Sequence, residues 1–329
     1  MEIDALDRQI IHALRVNGRA GYREIGAVLG SSDQTVARRY RRLREGAGVR
    51  VVGLPNPIAL GYEMWLLRLR TTPEAAGAIA AALARRSDTG WVSLTSGGTE
   101  IAANVQVPAT ADLDALLLDR LPRTPRLVSV SAHCMIHHFA GGAVGPDQRD
   151  SSLTPAQIAA LTPPARDGAG PARLADDDQP LLAALARDGR LGYPELAAAT
   201  GWAETTVRRR LHDLTGSGAL FYDVDVDPDV LGFRARVLLW LSVAPSRVAA
   251  VGAALARHEE VVFAAATTGP TNVVATVVCR DMTALYTYLT EKVGALDGVE
   301  RVETAPLVRH VKQSGAVATA PPARRPGRS

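Results

Sequence analysis

The amino-acid sequence predicts an α+β protein in which a three-helix unit followed by a βαββαβ domain occurs twice. Three observations support this prediction. Apolar residues recur at helical spacing at the start of the chain and again near its middle, and strand-like alternation follows both stretches. Residues 178–214 repeat residues 7–43 without a gap, with 15 of 37 positions identical. The length of 329 residues and the hydrophobic content of 47% are sufficient for several buried cores.

Residues 31–44 are the most distinctive stretch and predict a basic helix. Val36, Tyr40 and Leu43 share one face, and Ser32 is a suitable N-cap. Five arginines within seven residues suit a helix that lies against phosphates, because each neutralised phosphate releases counterions. The side chains expected to face DNA are Ser32, Gln34, Thr35, Arg38, Arg39, Arg41 and Arg42.

Two shorter amphipathic helices are predicted ahead of this basic helix, one around residues 6–14 and one around residues 22–29. A turn of about three residues then leads into the basic helix, which is the arrangement of a helix-turn-helix. The alternative is an ordinary three-helix bundle with a solvated arginine face, but such a charge run would not need to be duplicated together with its turn. Residues 49–52 predict a short wing strand, in which Arg50 is also expected to contact DNA.

From residue 62 onwards the pattern changes to alternating strands and helices. The order is βαββαβ, the ferredoxin-like arrangement, in which two helices cover one face of an antiparallel sheet. The predicted strands are residues 62–70, 90–95, 101–107 and 127–133, and the predicted helices are residues 73–86 and 111–121. A tight turn at residues 96–99 joins the second and third strands.

The second copy repeats this order. Its helix-turn-helix is expected at residues 176–214 and its wing at residues 219–226. Its strands are predicted at residues 236–243, 261–267, 272–279 and 299–311, and its helices at residues 245–257 and 282–293. The side chains expected to face DNA are Thr205, Thr206, Arg208, Arg209 and His212.

The second helix-turn-helix differs from the first in two ways. Ala203 stands at the expected N-cap, and the wing carries Asp223, Asp225, Asp227 and Asp229, which would repel a DNA backbone. We therefore expect the first helix-turn-helix to dominate DNA affinity, while the second contributes weakly or recognises a different half-site.

These elements divide the chain into six regions. The helix-turn-helix domains span residues 1–54 and 174–226, and the βαββαβ domains span residues 62–139 and 232–313. Residues 140–173 are rich in Gly, Pro, Ser and Asp and are expected to form a linker, with one short helix at residues 153–161. Residues 314–329 are expected to be a disordered tail.

Composition limits the remaining possibilities. The net charge is only +3, so the DNA-binding interpretation depends on local clustering of arginines. Two cysteines, no signal-like N-terminus and no long apolar run predict a cytoplasmic protein without a membrane partner. His133, Cys134, His137 and His138 match no zinc-binding spacing, and no serine has a base at motif spacing. No metal, no cofactor and no enzymatic activity are therefore expected.

A helix-turn-helix, a short wing and a βαββαβ domain in this order resemble the Lrp/AsnC family of transcriptional regulators, over nearly the whole chain and twice. The motifs that carry the resemblance are Asp4-x-x-Asp7, Asn17-Gly18-Arg19, Gly30-Ser31-Ser32-x-x-x-Val36-x-x-Arg39, Arg42-Leu43, Thr95-Ser96-Gly97 and Thr267-Thr268-Gly269. The resemblance implies sequence-specific binding to double-stranded DNA. It also implies a small-molecule effector, commonly an amino acid or related metabolite, and self-association through the βαββαβ domains.

The resemblance places the effector near the turn between the second and third strands of each sheet. The corresponding residues are Ser96, Gly97, Gly98 and Glu100 in the first copy, and Thr268, Gly269 and Asn272 in the second. Glu100 roughly matches an acidic position of the family, whereas the neutral Asn272 does not. We therefore expect the second pocket to be empty or tuned differently.

Because one chain carries both copies, we expect the two sheets to pair within the chain as a pseudo-dimer, so that the operator need not be palindromic. Two alternatives remain. One is a siroheme decarboxylase of the same architecture, a class with histidines and an aromatic-rich strand around a tetrapyrrole pocket; here Trp91 and Phe263 are the aromatic residues of the corresponding strands. The other is an effector-sensing protein that has lost DNA binding, against which the arginines between positions 38 and 50 argue.

Overall fold

The structure, a computed structural model, describes residues 3–108, 125–143, 152–163, 173–313 and 316–317. The helix predicted at residues 111–121 lies outside the described residues, as do most of the predicted linker and tail. In the part of the chain that is described, no helix is long and apolar enough to cross a membrane.

The first three helices form the predicted helix-turn-helix unit. They are α1 (Ala5–Val16), α2 (Tyr22–Leu29) and α3 (Asp33–Ala47). The hydroxyl of Ser32 caps α3 by accepting a hydrogen bond from the Thr35 amide at 3.1 Å, as the sequence predicted. Val36, Tyr40 and Leu43 are buried against α1 and α2, so the opposite face of α3 is left to solvent.

The second helix-turn-helix has the same arrangement with a weaker cap. A short helix, α5 (Pro155–Leu161), precedes it and packs against the first unit. The unit itself consists of α6 (Gln179–Arg187), α7 (Tyr193–Thr200) and α8 (Glu204–Gly216). Ala203 occupies the N-cap of α8 and makes no side-chain hydrogen bond to the helix.

The two predicted wing strands pair with each other. β1 (Arg50–Pro55) and β6 (Leu220–Asp225) form an antiparallel ribbon in which Arg50 lies opposite Asp225. The sequence predicted one short wing in each copy; instead, the two strands form a single ribbon that joins the two helix-turn-helix units, because each satisfies the other's backbone groups.

The βαββαβ domains close into one barrel. The strands are β2 (Tyr62–Thr71), β3 (Thr89–Thr95), β4 (Glu100–Pro108), β5 (Leu127–Ala140), β7 (Ala235–Val243), β8 (Val261–Thr267), β9 (Val273–Cys279) and β10 (Val299–Gln313). The orders β3-β4-β2-β5 and β8-β9-β7-β10 define two equivalent antiparallel sheets. These sheets join twice, where Met135 of β5 faces Thr267 and where Leu307 of β10 faces Thr95. The expected intrachain pseudo-dimer is thereby confirmed.

Separate cores lie outside and inside the barrel. α4 (Pro73–Ala84) covers the outer face of the first sheet, while α9 (Val248–Leu255) and α10 (Met282–Thr287) cover that of the second. The helix predicted at residues 282–293 continues beyond α10 as a π-helix. The barrel interior is apolar at its centre, where Leu66, Leu238 and Trp240 are buried. A two-residue strand, β11 (Ala316–Val317), pairs antiparallel with the end of β10, so this part of the predicted disordered tail is a strand instead.

Candidate DNA-binding surface and ligand cavity

The arginines of α3 divide into two sets. Arg39 donates hydrogen bonds to Asp4 at 2.5 Å and to Asp7 at 3.1 Å, and Arg42 also donates to Asp7. Asp7 is fully buried in α1, so these arginines anchor α3 to α1. The hydrogen bond from Arg39 also holds the pKa of Asp4 below its ordinary value.

The other set faces solvent. Gln34, Arg38 and Arg41 are exposed, and neither arginine forms an ion pair with another described residue. Ser32 and Thr35 lie at the N-terminal end of the same face, where their hydroxyls hydrogen-bond to each other at 2.9 Å. This N-terminal half of α3 can therefore offer guanidinium groups to phosphates and polar side chains to base edges.

Arg50 has a different position from the other arginines predicted to bind DNA. It lies on the β1–β6 ribbon and pairs with Asp225 at 2.5 Å. Asp227 and Asp229 pair with Arg236 at 3.5 and 3.3 Å. The repulsion of DNA that the sequence predicted for these aspartates is therefore reduced but not removed, because two arginines pair with three carboxylates.

The arginines of α8 divide into an anchoring set and an exposed set, like those of α3. Arg210 pairs with the buried Asp178 at 2.7 Å, as Arg39 does with Asp7. Burial opposes ionisation of Asp178, but hydrogen bonds from Arg210 and from the Ala175 amide outweigh it and hold the pKa of Asp178 below its usual value. The guanidinium carbon of Arg208 lies 4.4 Å from the centroid of the Tyr193 ring. The other predicted contacts of α8 with exposed side chains are Thr205, Arg209 and His212, while Thr206 is half-buried.

The two helix-turn-helix units are held together by reciprocal arginines. Arg19 donates to the carbonyls of Gly189 at 2.7 Å and Leu191 at 3.0 Å. Arg190, its counterpart, donates to the carbonyls of Gly18 at 2.7 Å and Ala20 at 2.9 Å. Gly18-Arg19 and Gly189-Arg190 are equivalent in the repeat, and their reciprocal contacts fix the two helix-turn-helix units relative to each other.

The predicted effector turn of the first copy holds a buried ion pair. Ser96, Gly97 and Gly98 form a short turn after β3, and the Ser96 hydroxyl donates to Glu100 at 2.9 Å. Glu100 is buried and accepts a hydrogen bond from Arg68, which also pairs with Glu303 at 2.9 Å. An effector ammonium at Glu100 would therefore compete with Arg68 for the carboxylate.

The corresponding turn of the second copy is packed against β5. Thr268 accepts a hydrogen bond on its carbonyl from His133 at 2.8 Å, and its hydroxyl accepts one from the Cys134 amide at 2.9 Å. A Cβ on Gly269 would lie 2.6 Å from His133, and its φ of +105° independently favours glycine. Asn272 exchanges hydrogen bonds with the backbone of Val243 at 2.9 and 2.8 Å, which gives its neutral amide a structural role.

A cavity that the sequence did not predict lies between the β1–β6 ribbon and the barrel interior. We call it the ribbon cavity; its volume is about 500 Å³. Its walls include two edge-to-face ring pairs, Trp91 with His310 at 5.9 Å and Phe263 with His138 at 5.7 Å. Lys312 also lines it. In the described residues, no three His, Cys, Asp or Glu side chains are placed to hold a metal ion.

Comparisons with known proteins agree with this architecture. The AsnC-type helix-turn-helix domain matches residues 3–44 and 176–215, and the Lrp/AsnC ligand binding domain matches residues 236–317. An uncharacterized HTH-type transcriptional regulator of Pyrococcus furiosus is 30% identical over 121 residues, which are 36% of this chain and 82% of the relative. The HTH-type transcriptional regulator FL11 of the same organism is 27% identical over 142 residues, 43% of this chain and 93% of the relative.

A crystal structure of the siroheme decarboxylase NirDL resembles the whole chain. The TM-score is 0.60 at 12% identity, and the match covers 94% of this chain and 93% of that one. At this identity the likeness shows the fold alone. The sequence matches are more specific, since they cover the helix-turn-helix of both copies. The chain therefore belongs to the Lrp/AsnC family of HTH-type transcriptional regulators, with the helix-turn-helix present twice.

Proposed function

We propose that a single chain presents α3 and α8 to two different half-sites on double-stranded DNA and that a small metabolite controls this binding. The observation that carries the proposal is the reciprocal contact of Arg19 and Arg190, which fixes two helix-turn-helix units in one pseudo-dimer. Helix-turn-helix dimers bind half-sites one or more helical turns apart, and a pseudo-dimer can do so without a second chain.

Within this proposal the first helix-turn-helix supplies most of the affinity. α3 has a side-chain cap and the solvent-facing Arg38 and Arg41, whereas α8 lacks a side-chain cap and carries Asp213 beside His212. The proposed contacts are therefore Ser32, Gln34, Thr35, Arg38 and Arg41, with Thr205, Thr206, Arg208, Arg209 and His212 reading a second half-site. Arg39 and Arg42 instead anchor α3 to α1, and Arg50 pairs with Asp225 across the β1–β6 ribbon.

A gel-shift titration tests this function. The full chain is titrated with DNA from the region upstream of its own gene, at two salt concentrations and with excess nonspecific competitor. We expect a sequence-selective shift that weakens steeply as salt rises, because phosphate contacts release counterions. The proposal would be refuted if genomic fragments selected by the protein were bound no more tightly than nonspecific DNA.

The effector is proposed to be a small organic molecule that binds the βαββαβ domains, and association of the chain beyond the pseudo-dimer is part of the same proposal. Amino acids are the first compounds to screen, because the family resemblance favours them. Glu100 supports an ammonium site only if Arg68 releases it, since the two are paired. A change in the gel-shift midpoint on adding the effector, absent for unrelated metabolites, is the expected result.

A second candidate, an enzyme related to siroheme decarboxylases, is favoured by one observation. The ribbon cavity brings His138 and His310 beside the aromatic rings of Phe263 and Trp91. Against it, a tetrapyrrole with several carboxylates needs several cationic partners. The lysine and arginines that line the cavity are Arg15, Arg236 and Lys312, and Arg236 is already paired with aspartates. A retained tetrapyrrole spectrum and loss of CO₂ after incubation with siroheme would favour the enzyme over the regulator.

A further inference from the structure

The ribbon cavity has the size and position of a small-molecule site. Ligand sites commonly have volumes of about 300–1,000 Å³, and the cavity measures about 500 Å³. Both copies contribute to its walls, and β1 and β6 of the ribbon form part of its lining. It is distinct from the two turns at which the family resemblance places the effector.

The duplication shows which part of the cavity has been kept equivalent between the copies. A shift of 172 positions relates Trp91 to Phe263 and His138 to His310. Each aromatic ring packs edge-to-face on the histidine of the other copy, at 5.9 and 5.7 Å. The cavity is therefore lined by two similar aromatic walls related by the pseudo-twofold axis.

The same shift shows where this equivalence is broken. Lys312 corresponds to Ala140, and Ser93 corresponds to Ala265. Ser93 hydrogen-bonds to His310 at 2.9 Å, on the side of the cavity that carries Lys312. At these two positions one side of the cavity carries polar and cationic side chains, whereas the equivalent positions of the other copy carry alanines.

Lys312 is a buried cation without an ion-pair partner among the described residues. It is 5% exposed and donates to the Arg86 carbonyl at 2.7 Å and to the Thr89 hydroxyl at 3.3 Å. Neither acceptor is charged, and no carboxylate among the described residues pairs with this ammonium. An ammonium has three donors, so one remains for a further acceptor. Burial lowers the pKa of Lys312, and the charge of Asp88, which is itself paired with Arg86, opposes this only in part. An anionic partner would offset the remaining cost.

We propose that the ribbon cavity binds an amphipathic organic anion, whose anionic group accepts a hydrogen bond from Lys312 and whose apolar body packs against Trp91 and Phe263. Such a ligand touches the ribbon that joins the two helix-turn-helix units and the barrel behind it. Its role as the effector rests on the proposed function, whereas its binding does not.

Two fluorescent probes with the same aromatic body test the site. Anilinonaphthalene sulfonate carries a negative charge, and phenylnaphthylamine does not. We expect both to bind the wild-type chain with one site each. Lys312→Met should raise the Kd of the sulfonate at least about tenfold while changing that of the neutral probe less than about twofold, because only the sulfonate loses a charge-assisted hydrogen bond.

Lys292→Met is the matched control, because Lys292 is exposed and pairs with Glu260 at 2.7 Å. It should leave the affinity for both probes unchanged. The proposal would be overturned if either probe failed to bind the wild-type chain. It would also be overturned if Lys312→Met changed the Kd of both probes equally.

Amine modification tests the site without substitutions. Lys292 and Lys312 are the two lysines of the chain, so mass spectrometry after reductive methylation reports each one separately. The sulfonate should slow methylation of Lys312 and not that of Lys292; equal rates with and without the probe would contradict the assignment. DNA binding by the wild-type chain is measured separately, and its absence alongside intact probe binding would refute the proposed function alone.

Discussion

Replacing pairs of arginines in α3 separates DNA contact from structural anchoring. Arg38→Ala/Arg41→Ala removes two exposed guanidinium groups, whereas Arg39→Ala/Arg42→Ala removes the ion-pair partners of Asp7. Each phosphate contact contributes about 0.9 to the slope of log K against log salt, so the first variant should flatten that slope by about 1.8. With 1 M salt as the reference, removing one contact should lower the DNA association constant at 0.15 M salt by roughly 0.7 log units. Removing two contacts should lower it about thirtyfold.

The second pair should change stability instead. Asp7 is fully buried and would lose both cations, while Arg39 and Arg42 have 24% and 47% of their side chains exposed. Allowing for this solvent exposure, we expect a loss of about 2 kcal/mol in the free energy of unfolding.

Gel shifts at three or more salt concentrations and urea titrations followed by circular dichroism measure the two effects. Arg208→Ala/Arg209→Ala in α8 provides the comparison between copies and should weaken binding less than Arg38→Ala/Arg41→Ala. The reasoning is refuted if Arg39→Ala/Arg42→Ala flattens the salt dependence of a stably folded protein, or if the exposed pair leaves it unchanged.

Three further substitutions, one with a matched control, test the packing of the first helix-turn-helix against the ribbon and two titratable groups. Gly18→Ala should destabilise the protein by about 1–3 kcal/mol in urea titrations, because its Cβ would lie 2.6 Å from that of Tyr222. In the control Gly21→Ala, the new Cβ meets no atom of the described residues within 4 Å, so the cost should be less than about 0.5 kcal/mol. Burial, with the charge of Arg236, lowers the pKa of His310 from 6.5 to about 4, so the unfolded chain binds the extra proton as pH falls through this range. Up to about 3 kcal/mol of stability should therefore be present above pH 6.5 and lost by about pH 4, and His310→Asn should flatten that part of the pH profile; an unchanged profile would contradict the assignment. The depressed pKa of Asp178 contributes stability that is present above its unfolded pKa of about 3.9 and is lost as pH falls through its lower folded pKa. Arg210→Met should therefore reduce stability at pH 7 and much less in acid, and an equal loss at both pH values would exclude the Asp178 pair as the cause.

Much of the fold follows from local signals in the sequence. The Ser32 cap and the spacing of Val36, Tyr40 and Leu43 predict α3, and the structure confirms each of them. The duplication predicts the intrachain pseudo-dimer, because each copy carries the sheet that the other pairs with. Local pattern and global topology agree in these elements, so they can be derived from the chain alone.

The division of the arginines could not be predicted in this way. Arg38 and Arg39 are adjacent and chemically identical, and their roles differ because Asp7 approaches Arg39 from 32 positions away. The same limit applies to the ribbon cavity, since Lys312 meets Thr89 across 223 positions. Pairing between distant segments decides both cases, and no local periodicity reports it.

Hydroxyl-radical footprinting of the chain on its operator tests the central claim most directly. If one chain carries two recognition helices, the wild type should protect two patches about one helical turn apart, on one face of the duplex. Arg38→Ala/Arg41→Ala should weaken one patch, and Arg208→Ala/Arg209→Ala should weaken the other. Loss of the same patch in both variants, or a single patch in the wild type, would contradict the account.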